Sequence, residues 1–97
     1  MELNTLTWLQ DWYASHCNGK WEHSWGIKID NIDNPGWMVT IDLRETELSE
    51  KIFPDVRIER SETDWIQCSV KEFQFRILCG PKNLEEALLI FRTYAGS

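Results

Sequence analysis

Little in this 97-residue chain would staple it, stretch it or anchor it. There are three cysteines, Cys17, Cys68 and Cys79, an odd number with no CxxC spacing, which excludes a disulfide scaffold or a zinc ribbon. In a reducing compartment such thiols read as small buried apolar groups. Three prolines and five glycines are too few for a collagenous or low-complexity segment. The longest unbroken apolar run is Ala87–Phe91, whereas a membrane-spanning helix needs about 20 such residues. Met1-Glu2-Leu3-Asn4 has neither the basic nor the apolar stretch of a signal peptide. Positive charge is also scarce: ten bases against sixteen acids give a formal charge of −6. Nucleic acid is therefore a poor electrostatic partner, and a basic protein surface is the natural one. What remains is a cytoplasmic protein with one domain over residues 1–97, globular in composition at 42% apolar and 27% charged.

The apolar spacing sets the order of elements. Leu6, Leu9 and Tyr13 recur at helical spacing, flanked by Trp8 and Trp12, so a helix is expected from Asn4 or Thr5 to His16. Asn4 or Thr5 supplies its cap, and Asn18-Gly19 its end. Trp25, Ile27 and Ile29 then alternate with polar residues as one strand, and Trp37, Val39, Ile41 and Leu43 as the next. Asp33-Asn34-Pro35-Gly36 between them is a dense turn signal, which makes an antiparallel hairpin. Residues 45–54 suit a short helical turn, which Pro54 must end. Strands follow over 56–60 and 65–70, the second with Ile66, Cys68 and Val70 on one face and Trp65 on the other. A tight turn through Lys71-Glu72 leads to a fifth strand carrying Phe73, Phe75, Ile77 and Cys79. After Gly80-Pro81, Asn83 and Glu86 form a capping-box-like start to a last helix. Its core face is Leu84, Leu88 and Phe91, and Gly96 lies past its end. The expected fold is α+β, an antiparallel sheet of about five strands with a helix at each end of the chain, as a two-layer sandwich.

Candidate sites are few. His16, Cys17 and His23 with Glu22 are zinc-ligand types, but their spacing matches no zinc signature. A helix-end histidine beside the terminal carbonyls explains His16 equally well. Glu22 next to His23 has the chemistry of a general acid/base pair, which a polar loop would also produce. No cofactor is indicated. Residues 30–50 hold Asp30, Asp33, Asp42, Glu45, Glu47 and Glu50 against Arg44, or five of the six net negative charges. On the second strand Asp42 falls opposite the apolar face and should point to solvent. Such a segment is a solvated face or a docking patch for a basic partner. Six tryptophans are many for this length. Trp25 and Trp37 are in phase with the core, whereas Trp21 falls in the loop after the first helix, where an interface would use it.

Those motifs, taken together, resemble a known family. Trp12-Tyr13, Cys17-Asn18-Gly19, Trp21-Glu22-His23, Gly26-Ile27 and Asp33-Asn34-Pro35-Gly36-Trp37 are similar to the immunity protein 53 pattern. Ile41-Asp42-Leu43, Thr46-Glu47-Leu48, Asp64-Trp65 and Gly80-Pro81-Lys82-Asn83-Leu84 extend the likeness over nearly the whole chain. The resemblance implies a small, non-catalytic cytoplasmic protein of a bacterial polymorphic toxin system that binds and neutralises a cognate toxin. An acidic inhibitor suits a nuclease with a basic cleft. The expected toxin-binding face comprises Trp21, Glu22, His23, Asp30, Asp33, Asp42, Glu45 and Glu47. The competing expectation is a small-ligand or metal-binding domain built on the Trp21–His23 loop, and a third is a hydrolase around Glu22 and His23.

Overall fold

A computed structural model describes residues 4–96; of the stretch Met1–Asn4 read above for a signal peptide, all but Asn4 lies outside them. The elements are α1 (Thr5–His16), α2 (Trp21–Ser24), β1 (Ile27–Ile32), β2 (Gly36–Asp42), β3 (Val56–Glu59), β4 (Trp65–Lys71), β5 (Gln74–Cys79) and α3 (Leu84–Ala95). All neighbouring strands are antiparallel, in the order β1-β2-β5-β4-β3. This is the expected α+β architecture, with five strands and a helix near each end. No helix among the described residues is long and apolar enough to cross a membrane.

Period-two alternation places Val39 and Ile41 of β2, Phe75, Ile77 and Cys79 of β5, and Ile66 and Cys68 of β4 on one face, all buried. The helices cover that face. Phe91 of α3 sits at its centre, edge-on to Phe75 at 5.0 Å, to Trp12 at 5.1 Å and to Trp8 at 5.8 Å. Such edge-to-face contacts add to the area each ring buries. The other sheet face carries Met38, Thr40, Arg76 and Leu78, and among the described residues no layer covers it.

Because β5 and β4 lie between β2 and β3, the chain must cross the sheet over residues 43–55. This crossover forms successive turns rather than one helical turn, and it closes the core by burying Leu43 and Leu48. The hairpin of β1 and β2 is as expected, with Ile27 opposite Ile41 and a cis Asn34-Pro35 bond in the turn. Gly36 is required there by space: a Cβ would lie 2.2 Å from the Cys79 carbonyl oxygen.

Several expectations need correction. The buried face of α1 is Thr5, Trp8, Leu9 and Trp12, so Leu6 and Tyr13 face out; the bulkier indoles displaced the stripe by a residue. Trp25 closes α2 instead of opening β1. Phe73 is a turn residue: Glu72 and Phe73 both have positive φ, and the Lys71–Gln74 pairing makes a two-residue hairpin turn. Asn83 precedes α3, yet its side chain does not cap it. Instead its amide group donates to Asp64 (2.8 Å) and its carbonyl oxygen accepts from the Trp65 amide (3.3 Å). Glu86 turns away to Arg60, which also holds Asp64 (2.9 Å) and so ties the β3–β4 turn to α3. Finally, Cys17 is exposed, since its extended backbone lies past the last buried turn of α1.

Candidate functional site

The tryptophan- and acid-rich motifs converge where the end of α1, the short helix α2 and the start of the crossover meet. Helix α1 stops because Cys17 is extended, and Gly19 turns the chain at φ 90°. Asn18 does not itself turn left-handed. Its side-chain oxygen accepts from the amides of Lys20 (2.9 Å) and Trp21 (3.0 Å). Glu22 reaches back to accept from the amides of Asn18 (2.8 Å) and Gly19 (2.6 Å). Between them the two side chains satisfy the four amides from Asn18 to Trp21 at the start of α2, a variation on the capping box. Amide donation from its own backbone, then from Asn18 and Gly19, holds the Glu22 carboxyl below its ordinary value.

This capping lifts Trp21 out of the expected loop and into the core. It is 1% exposed and lies 5.8 Å from Trp12 and 5.7 Å from both Tyr13 and His16. Its indole N–H is buried without an acceptor among the described residues. His23, on the outer side of α2, is exposed.

The crossover supplies the opposite wall. Glu47 accepts from the Trp12 indole N–H (3.0 Å) with one oxygen and faces His16 Nε2 (2.7 Å) with the other. His16 Nδ1 lies 2.7 Å from the Trp12 carbonyl, which can only accept, so the hydrogen sits on Nδ1. A hydrogen on Nε2 as well would complete both bonds and make the His16–Glu47 contact an ion pair. Burial acts to raise the Glu47 carboxyl, but donation from His16, its own backbone and Trp12 outweighs it and holds the group low. Glu45 has φ 61° and pairs with Lys20 at 3.2 Å.

Asp42 corrects a charge expectation, being 3% exposed instead of solvent-directed. It accepts from the Arg44 amide (3.0 Å) and guanidinium (2.9 Å), so a short loop folds one charge over the other. Arg44 also lies over the Trp25 ring at 5.7 Å and the Phe73 ring at 5.9 Å, with Lys20 over Trp25 at 5.7 Å.

The structure therefore brings Trp21, Glu22, His23, Asp42, Glu45 and Glu47 to one end of the molecule. Asp30 is exposed in the second half of β1 and Asp33 just past its end, the strand being about 20 Å long at the usual rise. Glu45 pairs with Lys20 from outside the acidic segment and Asp42 is covered by Arg44, so the local field is weaker than the sequence count suggests, while Glu47 faces His16. Glu22 spends its carboxylate on backbone amides, which leaves His23 without a base beside it. Among the described residues no three His, Cys, Asp or Glu side chains are grouped to hold a metal ion. What this junction can do is hold its backbone stiffly and present a polar rim. Reading the sequence had missed the roles of Trp12, Lys20 and Arg44. Spacing of four residues puts Trp12 beside His16, but nothing local announces Glu47, 31 positions on.

A family model described as Immunity protein 53 matches residues 6–96. No curated protein and no solved structure matches the chain.

Proposed function

The chain belongs to the immunity protein 53 family, and on that premise we propose that it neutralises a cognate toxin by one-to-one binding, without turnover. The carrying observation is the family match over residues 6–96, which takes in every helix and strand except the first residue of α1. The chemistry of the junction supports the reading. Its candidate acid, Glu22, is committed to backbone amides, and its two most buried members, Trp21 and Asp42, are committed to the fold. The toxin-facing residues are the exposed ones, His23, Glu45 and Glu47 with the edge of Glu22, backed by Trp21 and Asp42; Asp30 and Asp33 form an outlying acidic edge. A formal charge of −6 suits a toxin with a basic surface, such as a nuclease cleft, met in the cytoplasm of the producing cell.

Co-expression with the toxin domain encoded beside this chain tests the reading. Co-elution at one-to-one stoichiometry, with growth restored, is the expected outcome. Glu45→Lys should slow association and flatten its salt dependence, because that carboxylate lies on the rim. Separate elution of toxin and chain, with growth still arrested, would refute the assignment.

A further inference from the structure

The crossover that supplies Glu45 and Glu47 continues into a strap over residues 51–54, pinned to α3 from both directions. The Lys51 ammonium donates to the Tyr94 carbonyl, and the Tyr94 hydroxyl donates back to the Lys51 carbonyl (2.8 Å). Phe53 packs edge-on to Phe75 and to Tyr94, both at 4.9 Å. With Lys51 and Phe53 fixed, Ile52 between them is driven outward and is 89% exposed, the highest value among the exposed large hydrophobic residues. Leu89 of α3 is 47% exposed across a groove of about 430 Å³, which Ile58 and Ile90 also line. An isoleucine side chain left in water contributes no burial to the fold, and beside the exposed Leu89 it offers an apolar surface to a partner. The strap is pinned through Lys51 and Phe53, so a partner would not bear the entropy cost of ordering its backbone.

Charge identifies the partner. Glu50 and Asp55 flank the strap, and Glu85 shares a helix face with Leu89 one turn on. All three are exposed and have no ion-pair partner among the described residues, while the nearby Lys51 is engaged by Tyr94. The surroundings therefore favour an apolar segment flanked by lysine or arginine.

We propose that the groove between Ile52 and Leu89 is the apolar centre of the toxin interface, receiving an apolar anchor of the toxin flanked by basic side chains. This rests on the immunity reading and deepens it. The crossover runs from Glu45 and Glu47 into this groove, so a footprint of the usual size, about 800 Å² per partner, would take in an apolar centre and an acidic rim.

The test uses the full chain and the toxin domain encoded beside it, titrated calorimetrically against wild type, Ile52→Asp, Leu89→Asp and a control, Leu6→Asp. Leu6 is 59% exposed on α1, away from the groove. Ile52→Asp and Leu89→Asp should each weaken binding at least tenfold with an unchanged urea midpoint, and Leu6→Asp should not. Wild-type affinity in both folded groove variants would overturn the groove while leaving immunity intact. A wild-type chain that does not bind the toxin overturns the immunity reading and the groove with it. Sedimentation of the chain alone completes the test: a wild-type dimer that Ile52→Asp dissolves would give the groove to a second copy and overturn the proposal.

Discussion

Replacing Glu47 tests whether the crossover is clasped to α1 as the geometry indicates. Trp12 is 7% exposed, and Glu47 accepts its indole N–H at 3.0 Å. In Glu47→Ala that buried donor loses its acceptor, which costs about 1–3 kcal/mol. The His16 pair goes too, but the Glu47 side chain is 55% exposed, so solvent screening limits that contribution to about 0.2–1 kcal/mol. A total near 2 kcal/mol is expected, against a usual domain stability of about 5–15 kcal/mol. Each kcal/mol should lower Tm by about 4–8 °C. Glu47→Gln keeps a carbonyl acceptor for Trp12 and should cost under about 1 kcal/mol. Urea unfolding followed by fluorescence measures both, with the slope checked for constancy. A cycle with Trp12→Phe isolates the hydrogen bond, because a phenyl ring has no donor to strand. The pH dependence has a defined sign. The folded-state carboxyl is held below its unfolded value, so its stabilisation is complete above that value and disappears as pH falls through the folded one. The gap between wild type and Glu47→Gln should therefore close below about pH 4. Glu47→Ala within 0.5 kcal/mol of wild type (about the scatter of surface substitutions), or no coupling to Trp12→Phe, would refute the clasp.

Three other perturbations probe separate parts of the fold. Gly36→Ala would place a Cβ 2.2 Å from the Cys79 carbonyl oxygen, forcing β2 from β5. A loss of about 1–3 kcal/mol in urea is expected, and wild-type stability would show that the strands do not approach so closely. Glu72→Asn with Phe73→Gly should stabilise by about 1 kcal/mol, since left-handed backbone costs other residues about 1–2 kcal/mol each and the Phe73–Arg44 contact returns only part of that. A lower urea midpoint would mean that the ring over Arg44 outweighs the backbone strain. Burial pushes the Cys68 thiol up to about 12, with Cys79 adding to it, and burial pushes Cys79 up to about 11. A thiol reagent at pH 8 should therefore titrate Cys17 alone in the native chain and all three cysteines in denaturant; two or more fast native thiols would contradict that burial.

What was legible in the sequence divides along the range of the interactions. The β1–β2 hairpin, the antiparallel sheet and the two long helices were readable because period and turn chemistry are local. Trp21 was not, since its burial follows from the Asn18–Glu22 cap, and that cap converts an apparent loop into a helical turn. Phe73 alternates in phase with Phe75, so periodicity assigned it to the strand; only the pairing of Lys71 with Gln74 reveals the turn. Asp42 was assigned to solvent by the same alternation, which was right about its face and wrong about its exposure, because Arg44 folds over it. The acidic segment looked like one patch because sequence counts charge without its partners. His16 and Lys20 come from a segment that only the fold brings to Glu47 and Glu45, whereas Arg44 lies within the acidic segment and folds back over Asp42.

That division bears on where toxin recognition can reside. Trp21 fills the core, Asp42 is folded under Arg44, and Gly36 allows two strands to meet. Side chains spent in this way have little capacity left for a partner, and altering them changes the scaffold before it changes any contact. The motif residues that carry the sequence resemblance therefore include several that build the fold. Recognition of a particular toxin falls to side chains the fold does not consume. Ile52 and Leu89, with Glu50, Asp55 and Glu85 around them, are of that kind. Exchanging those residues should alter which toxin is bound while leaving the urea midpoint in place, whereas exchanging the tryptophan-rich motif should move the midpoint first. Binding that follows the motif, with no response to the groove, would reverse this division of labour.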